Sequence, residues 1–342
     1  MRGPMFRRGG TSGWKTPGTL GNDVQSSVPS TQISLSRVGV TGLKRILRLR
    51  DSSDRNTLFF ADMKLYAHLD ARQAGVHMSR FIENIENVAL EIASEPSPTF
   101  EALTDRIAVA IANTQGASRA EAHIRAQYPM TKVTPVSRLK VENLCTFIGV
   151  SVSDGERTKR ASGVEVNGLT VCPCAREMVS EHSRVLLLEA GYSAEQADEI
   201  TAILPLASHN QRGLGTLLLG TSELVRAERL VEIVEESMSA GTYELLKRPD
   251  ELHVVVEGHT RPRFAEDVAR EILKGVADRL PDLGDDTFVL ARQENFESIH
   301  AHNAYAERCG LLGDIRRELR GEPPSARTPL SFESWLDSAC AP

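Results

Sequence analysis

Residues 144–153 read Leu-Cys-Thr-Phe-Ile-Gly-Val-Ser-Val-Ser, an apolar run rich in β-branched and aromatic side chains that predicts a strand. Gly155 follows in a polar stretch that is typical of a turn. The chain then returns through a second predicted strand, residues 162–170. Consecutive strands without an intervening helix favour an α+β fold over an alternating parallel sheet.

The segments before this unit extend the same pattern. Phe81, Ile85 and Val88 recur at helical spacing and predict a helix that begins at Ser79. The other predicted elements are a strand with a turn over residues 34–50, a strand over 57–69, a second helix over 99–113 and an extended segment over 120–133.

The second half repeats strands and helices loosely. The predicted helices cover residues 176–190, 194–203, 223–238 and 262–280, and the predicted extended segments cover 205–219, 252–257 and 286–293. The segment 252–257 is assigned to a strand because it is rich in valine. Residues 320–342 are rich in proline and serine, and we expect a loosely attached extension there.

Composition excludes several classes of protein. The 342 residues are 41% apolar and 25% charged with a net charge of −6, which is ordinary for a soluble globular chain and gives no sign of nucleic-acid binding. No apolar run is long enough for a membrane helix. Five cysteines without a paired spacing favour a reducing, cytoplasmic location.

Cys172-Pro173-Cys174 is the first candidate for chemistry. It follows a predicted strand and precedes a predicted helix, whose N-terminus favours a thiolate. His209 lies downstream in His-Asn-Gln-Arg-Gly, and a thiolate with an imidazole suits zinc or ferrous iron. A buried cysteine pair and a histidine in a solvated turn are the alternatives that the residues alone leave open.

Two further clusters contain groups suited to proton transfer or anion binding. Residues 294–303 hold two glutamates and two histidines, which fit acid–base chemistry, metal binding or simply a polar loop. His77 and Arg80 flank the start of the first predicted helix, where an anion is favoured, although Ser79 would also serve there as an ordinary helix cap.

Six short segments, taken together and in this order, resemble the prokaryotic type IB GTP cyclohydrolase I family, including its archaeal-like GTP cyclohydrolase branch. They lie within residues 34–318 and are residues 38–44, 75–80, 172–174, 209–213, 246–251 and 294–302. Residues 1–33 and 320–342 lie outside the resemblance.

The resemblance implies a tunnelling fold, with tandem units of antiparallel sheet carrying helices on one face. It implies a first unit over residues 34–170 and a second unit over 171–319. Composition alone predicts a disordered leader over residues 1–33, which are rich in Gly, Ser, Thr, Pro and Arg, and a C-terminal extension over 320–342. The resemblance also implies a homotetramer with active sites at subunit interfaces.

The same resemblance assigns roles to individual residues. Cys172, His209 and Glu251 would bind a divalent metal ion (Zn, Mn or Fe). Glu266 would anchor the guanine of GTP, because a carboxylate accepts two parallel hydrogen bonds. The remaining assignments are Cys172, Cys174, His300 and His302 as catalytic groups, and His77, Arg80 and Arg212 as substrate contacts.

The implied reaction is the opening of the guanine imidazole ring at C8 by metal-activated water, with loss of formate and formation of 7,8-dihydroneopterin triphosphate for pterin and folate synthesis. His209 lies 37 positions after Cys172, a long spacing associated with the archaeal-like branch, so 7,8-dihydroneopterin 2′,3′-cyclic phosphate is the alternative product. A 7-deazaguanine nitrile reductase of the same superfamily and a non-enzymatic metal-binding scaffold are the competing hypotheses.

Overall fold

A computed structural model of the protein describes residues 23–50, 56–93, 100–325 and 331–338. Its main element is a single antiparallel sheet. The strands are β1 (Leu35–Arg50), β2 (Asn56–Leu69), β3 (Ala120–Val133), β4 (Lys140–Ser153), β5 (Thr158–Val171), β6 (Asn210–Gly220), β7 (Ala240–Gly241), β8 (Phe288–Asn295) and β9 (Ala304–Leu311).

Helices fill the connections between the strands. They are α1 (Met78–Ala93), α2 (Phe100–Gln115), α3 (Pro173–Glu189), α4 (Ala194–Ile203), α5 (Ala227–Glu236), α6 (Arg248–Thr260), α7 (Ala265–Arg279), α8 (Leu312–Leu319) and α9 (Phe332–Asp337). The strand order is β1-β2-β3-β4-β5-β6-β8-β9, and the short β7 pairs with the end of β5.

The main core lies between one face of the sheet and helices α1, α2, α5 and α7. Alternate strand residues such as Met63, Leu65 and Ile124 point into it, because successive side chains of a strand face opposite sides. Phe81 and Ile272 are fully buried helix residues of the same core. The large antiparallel sheet with helices mainly on one side confirms the predicted α+β class.

The sheet is continuous across the predicted boundary between residues 170 and 171. β5 pairs with β4 on one side and with β6 on the other, so the two halves share one hydrogen-bonded ladder. Gly163 is required in β5, because a Cβ built there would lie 1.9 Å from the carbonyl oxygen of Leu217.

The predicted strand over residues 252–257 is wrong, because this segment lies within helix α6. Pro249 occupies the first turn, and the carboxylate of Asp250 accepts a hydrogen bond from the amide of Lys247 at 3.0 Å, which closes the start of the helix. Asp250 also accepts bonds from the amides of Val136 and Ser137, both at 2.8 Å. These helix-start signals outweigh the β propensity of three valines.

Asp250 is completely buried and fastens α6 to the turn between β3 and β4. Burial alone would raise the pKa of its carboxyl, but the hydrogen bonds from Ser137, Val136 and Lys247 outweigh burial and hold the pKa below its usual range. These hydrogen bonds therefore favour the ionised carboxylate when α6 is docked.

Both ends of the chain contact the rest of the molecule where the structure describes them. Residues 1–22 of the expected leader lie outside the described residues. Residues 23–33 contact the loop before α1, because the amide of Ala74 donates to the carbonyl of Ser27 at 2.8 Å. In the tail, α9 buries Trp335 and Leu336 on the sheet face opposite the main core, where Trp335 stacks on Phe288 with ring centroids 4.6 Å apart. Expecting a loosely attached tail is therefore wrong for α9.

Glu121 joins two arginine side chains and one histidine at the start of β3. Its carboxylate accepts from Arg37 at 2.9 Å, from Arg119 at 3.0 Å and contacts His123 at 3.0 Å. Burial opposes ionisation, but the bonds from His123 and Arg37 and the nearby charges lower the pKa of Glu121 to about 2. These contacts hold the N-terminal end of β1, which carries Arg37, against the start of β3.

Candidate functional site

Cys172 lies at the junction between β5 and α3. It is the N-cap of α3, Pro173 follows at the first helical position, and the thiol sulfur accepts the amide of Ala175 at 3.4 Å. The amide of Cys172 donates to the carbonyl of His209 at 3.1 Å, continuing the pairing of β5 with β6. The sheet thus places the two residues side by side although 37 positions separate them in sequence.

Behind His209 lies a buried polar cluster. Nδ1 of His209 is 3.1 Å from Oε1 of Gln211 and 3.5 Å from Oε2 of Glu297, whose side chain is only 9% exposed. The side-chain amide of Gln211 donates to the hydroxyl of Thr170 at 3.1 Å, and this bond fixes the orientation of the Gln211 side chain. These contacts leave Nε2 of His209 as the ring nitrogen available to a ligand.

Oε2 of Glu297 has no hydrogen-bond partner among the described residues, although the atom is buried. A buried carboxylate oxygen without a hydrogen-bond partner is costly, so a proton donor here is favourable, and Nδ1 of His209 at 3.5 Å is the group that faces this oxygen. The sequence placed Glu297 in the 294–303 cluster but gave it no role. Glu297 follows the end of β8. Because β8 pairs with β6, this position lies beside residue 211.

His300 and His302 lie in front of His209. The rings of His209 and His300 are nearly perpendicular with centroids 6.2 Å apart, and His300 stacks on His302 at 5.2 Å. Both residues are exposed, and they lie in the loop between β8 and β9. Three imidazoles in a row at the mouth of the site are suited to moving protons near neutral pH.

Glu251 lies on the exposed side of the first turn of α6. His259, near the other end of α6, lies close to the site, since its Nε2 is 3.4 Å from the carbonyl of Ser208. Eight helical residues separate Glu251 from His259, a rise of about 12 Å. The described chain therefore brings Cys172 and His209 together but does not bring Glu251 to them.

Glu266 is exposed in the first turn of α7. The loop before it is anchored beside Cys172, because the amide of Arg263 donates to the carbonyl of Val171 at 2.9 Å. Glu266 thus lies three residues after a point in direct contact with the end of β5, and its side chain is exposed.

Cys174 and Arg212 are both exposed. Cys174 lies in the first turn of α3 and Arg212 on β6, where its carbonyl accepts the amide of Phe296 at 2.9 Å. Arg212 also lines a cavity of about 370 Å³ that contains Lys132 and Tyr243.

His77 and Arg80 lie at the opposite end of the sheet. Nε2 of His77 is 3.2 Å from a carboxylate oxygen of Asp23, and Arg80 donates to the carbonyl of Thr114 at 2.8 Å. Both residues follow the end of β2, and strand pairing through β3 and β4 places that end beside the start of β5. Cys172, in contrast, follows the end of β5. The length of β5 separates the two places by about 40 Å.

Within the described ranges, no group of three or more His, Cys, Asp or Glu side chains is arranged to hold a metal ion. The thiol of Cys172 and the imidazole of His209 are nevertheless donors that zinc and ferrous iron prefer, and the buried oxygen of Glu297 behind His209 is the support that a ligating histidine requires. The residues present offer two candidate donors, with a buried carboxylate behind one of them. The same described ranges contain no helix that is both long and apolar enough to cross a membrane.

The fold resembles that of a solved uricase from Arthrobacter globiformis. The TM-score is 0.50 at 9% identity, and the match covers 87% of this chain and 96% of the uricase chain. At this identity the likeness concerns the fold alone. It supports the predicted tunnelling-fold architecture, in which a large antiparallel sheet carries helices on one side.

Sequence comparison is more specific. Residues 22–306 match the family model described as type I GTP cyclohydrolase folE2. The GTP cyclohydrolase MptA of Methanobrevibacter smithii is 39% identical over 305 residues, covering 87% of this chain and 98% of the relative. The GTP cyclohydrolase MptA of Methanococcus maripaludis strain S2 is 38% identical with the same two coverages. With the match extending over most of the chain and across the Cys172–His209 junction, this protein belongs to the GTP cyclohydrolase family that the folE2 model describes.

Proposed function

We propose that this protein opens the imidazole ring of GTP at C8 and releases formate at the junction of Cys172 and His209. The observation that carries the proposal is the buried support of His209 by Gln211 and Glu297, with His300 in front of it. This arrangement provides soft metal donors and imidazoles at one open place. Loss of C8 as formate consumes two water molecules, so several protons must move.

A divalent metal ion, when bound by Cys172 and His209, supplies a Lewis acid and a water of lowered pKa for attack at C8. Glu251 is the proposed third ligand. Because α6 holds it away from the other two in one chain, a shift of α6 or a contact from a second subunit would have to complete the set. Thiolate and imidazole donors suit zinc and iron, whereas manganese favours the carboxylate of Glu251.

Glu266 is the proposed guanine anchor, because a carboxylate accepts from N1–H and the 2-amino group together. Its exposure at the start of α7 leaves both oxygens free for a ligand. Arg212 beside β6 is the proposed cationic contact. His77 and Arg80, at the far end of the sheet, are proposed to serve a site in a neighbouring subunit of a homotetramer.

His300 and His302 are the proposed proton carriers, since stacked imidazoles can pass protons between the reacting ring and solvent. Cys174 has a secondary catalytic role in this proposal, because it is exposed one residue into the helix that Cys172 caps. The first step adds water at C8 and opens the ring. The second hydrolyses the resulting formamide, leaving the exposed amine for later ring closure.

The favoured product is 7,8-dihydroneopterin 2′,3′-cyclic phosphate. The long spacing between Cys172 and His209, filled by α3 and α4, and the methanogen relatives both support the archaeal-like reaction. 7,8-Dihydroneopterin triphosphate is the second candidate, supported by the folE2 family description. Either product would serve pterin or folate synthesis.

The test is to incubate the pure protein with GTP and Zn²⁺, Mn²⁺ or Fe²⁺ and to measure formate. Mass spectrometry of the pterin then distinguishes the cyclic phosphate, which is accompanied by pyrophosphate, from the triphosphate. Absence of formate with all three metals would refute the proposed reaction. Retention of stoichiometric metal by both Cys172→Ala and His209→Ala would refute the proposed ligands.

A further inference from the structure

Cys172 lies at the point where the ladder between β5 and β6 ends. Val171 and Asn210 are the last paired residues of this ladder, and Cys172 and His209 occupy the next opposite positions. Opposite residues of a hydrogen-bonded antiparallel pair exchange two bonds, one in each direction. The first bond is present, because the amide of Cys172 donates to the carbonyl of His209 at 3.1 Å. In the other direction, the hydroxyl of Ser208 donates to the carbonyl of Cys172 at 2.7 Å.

These two bonds hold the backbone of Cys172 while the chain turns from a strand into α3. The carbonyl of Cys172 also accepts the amide of Arg176 at 3.2 Å, which is the first bond of the helix. Pro173 has no amide hydrogen, so the next residue cannot donate to β6 and continue the ladder. Residues 208 and 209 therefore supply one partner for the amide and one for the carbonyl of Cys172.

The segment that carries Ser208 is itself restrained. The buried ring of His259 lies against it, with Nε2 3.4 Å from the carbonyl of Ser208. Nδ1 of the same ring is 2.8 Å from the carbonyl of Val255, one turn earlier in α6, so the ring is held by its own helix. Ser208 is half-buried between these elements. A hydroxyl on a restrained segment donates from a fixed position, which is the property that orients a neighbouring group.

We propose that Ser208 is a positioning residue, which orients the thiol of Cys172 for metal binding by fixing the carbonyl of that cysteine. The inference rests on the proposed function, in which Cys172 and His209 bind the metal ion. Bonds on both sides of Cys172 restrict its backbone to the observed φ of −70° and ψ of 118°, and these angles set the direction of its Cα–Cβ bond. The sulfur then accepts the amide of Ala175 at 3.4 Å. A donor held in this way loses less conformational entropy when the metal binds.

Removal of the Ser208 hydroxyl separates positioning from stability. In Ser208→Ala the carbonyl of Cys172 keeps its bond from Arg176, so no buried acceptor loses its last partner, and the urea midpoint of the metal-free protein should change little. Metal affinity should fall by about tenfold, which is the lower limit for groups that orient metal ligands. Ser208→Thr keeps a hydroxyl at the same place and should restore most of the affinity.

The first test measures the Zn²⁺ affinity of the full-length variants by competition with a chromogenic chelator. Ser183→Ala is the matched control, because Ser183 is also half-buried and donates to a backbone carbonyl, that of Val179, at 2.7 Å. It lies about three turns beyond Cys172 in α3 and should leave the affinity unchanged. The proposal would be overturned by equal affinity in Ser208→Ala and the wild type, by an equal loss in Ser183→Ala, or by a wild-type protein that binds no metal.

The second test observes Cys172 directly. In the metal-free protein, hydrogen exchange of the amides of Cys172 and Ala175 should be faster in Ser208→Ala than in the wild type or in Ser183→Ala, because the backbone at the start of α3 is held less firmly. In the Co²⁺-loaded protein, the thiolate-to-cobalt charge-transfer band should weaken in Ser208→Ala and return in Ser208→Thr. Unchanged exchange together with an unchanged band would overturn the proposal.

Formate release from GTP, measured on the same samples, separates this proposal from the proposed function. Formate from the wild type combined with unaltered metal affinity in Ser208→Ala would refute the positioning role alone. The expected losses of affinity without formate from any sample would refute the proposed reaction and support the positioning role.

Discussion

Glu297→Gln tests whether a buried carboxylate orients His209 for metal binding. Partners of this kind behind a ligating histidine are worth roughly 10- to 100-fold in metal affinity. The Nδ1 atom of His209 lies 3.5 Å from Glu297 but 3.1 Å from Gln211, so Gln211 still restrains the ring when the carboxylate is lost. We therefore expect the lower limit, about tenfold or about 1.4 kcal/mol, for Glu297→Gln. Adding Gln211→Ala should extend the loss to about 100-fold.

The assay is a competition between the protein and a chromogenic chelator for Zn²⁺ or Mn²⁺, with formate release recorded in parallel. Glu294→Gln is the matched control, because Glu294 lies in the same segment and accepts from Asn303 at 2.9 Å rather than contacting His209. Thermal unfolding without metal separates a change in affinity from a change in stability. Equal metal affinity in Glu297→Gln, Glu294→Gln and the wild type would refute the reasoning.

Three further predictions concern the fold that holds the site. Glu121→Gln should lower the free energy of unfolding by about 2 kcal/mol above pH 4.5, allowing for solvent screening, because the pKa of Glu121 near 2 in the folded state lies below its unfolded value. This loss should vanish as the pH falls through 4.5 towards 2. A difference in urea unfolding that does not change with pH would contradict the prediction. Gly163→Ala should destabilise by more than about 2 kcal/mol, since its Cβ would meet the carbonyl of Leu217; an unchanged urea midpoint would show that the strands can separate. Trp335→Ala removes the stack on Phe288 and should lower the melting temperature, with metal affinity unchanged; loss of metal binding would instead connect α9 to the site.

Local sequence patterns predicted most elements because each pattern follows from a short-range cause. The apolar spacing of α1 and the β-branched run of β4 both match the structure, as does the helix at residues 265–279. The valines at 254–256 misled the prediction, since Pro249 and the capping carboxylate of Asp250 start a helix there. β9 and α8, of eight residues each, were missed because segments this short contain few repeats of a strand or helix period.

In the candidate site, too, the sequence identified some residues and the tertiary structure was needed for others. The motifs identified Cys172 and His209, and pairing of β5 with β6 places them together. No pattern in the sequence gave Glu297 its role, because that role depends on β8 returning beside β6 and on the burial of one carboxylate oxygen. The roles of the remaining predicted site residues stay predictions, to be tested by the metal and formate measurements described above.

The sequence by itself determined the α+β class and the short motifs that carry donors and acids, because these depend on residue type and near-neighbour spacing. Only the tertiary structure decided that the two halves share one sheet and that α6 holds Glu251 away from Cys172. The same strand pairing places His77 and Arg80 one length of β5 away from the site. Such distances depend on strand register and on contacts between distant segments, which local patterns do not encode.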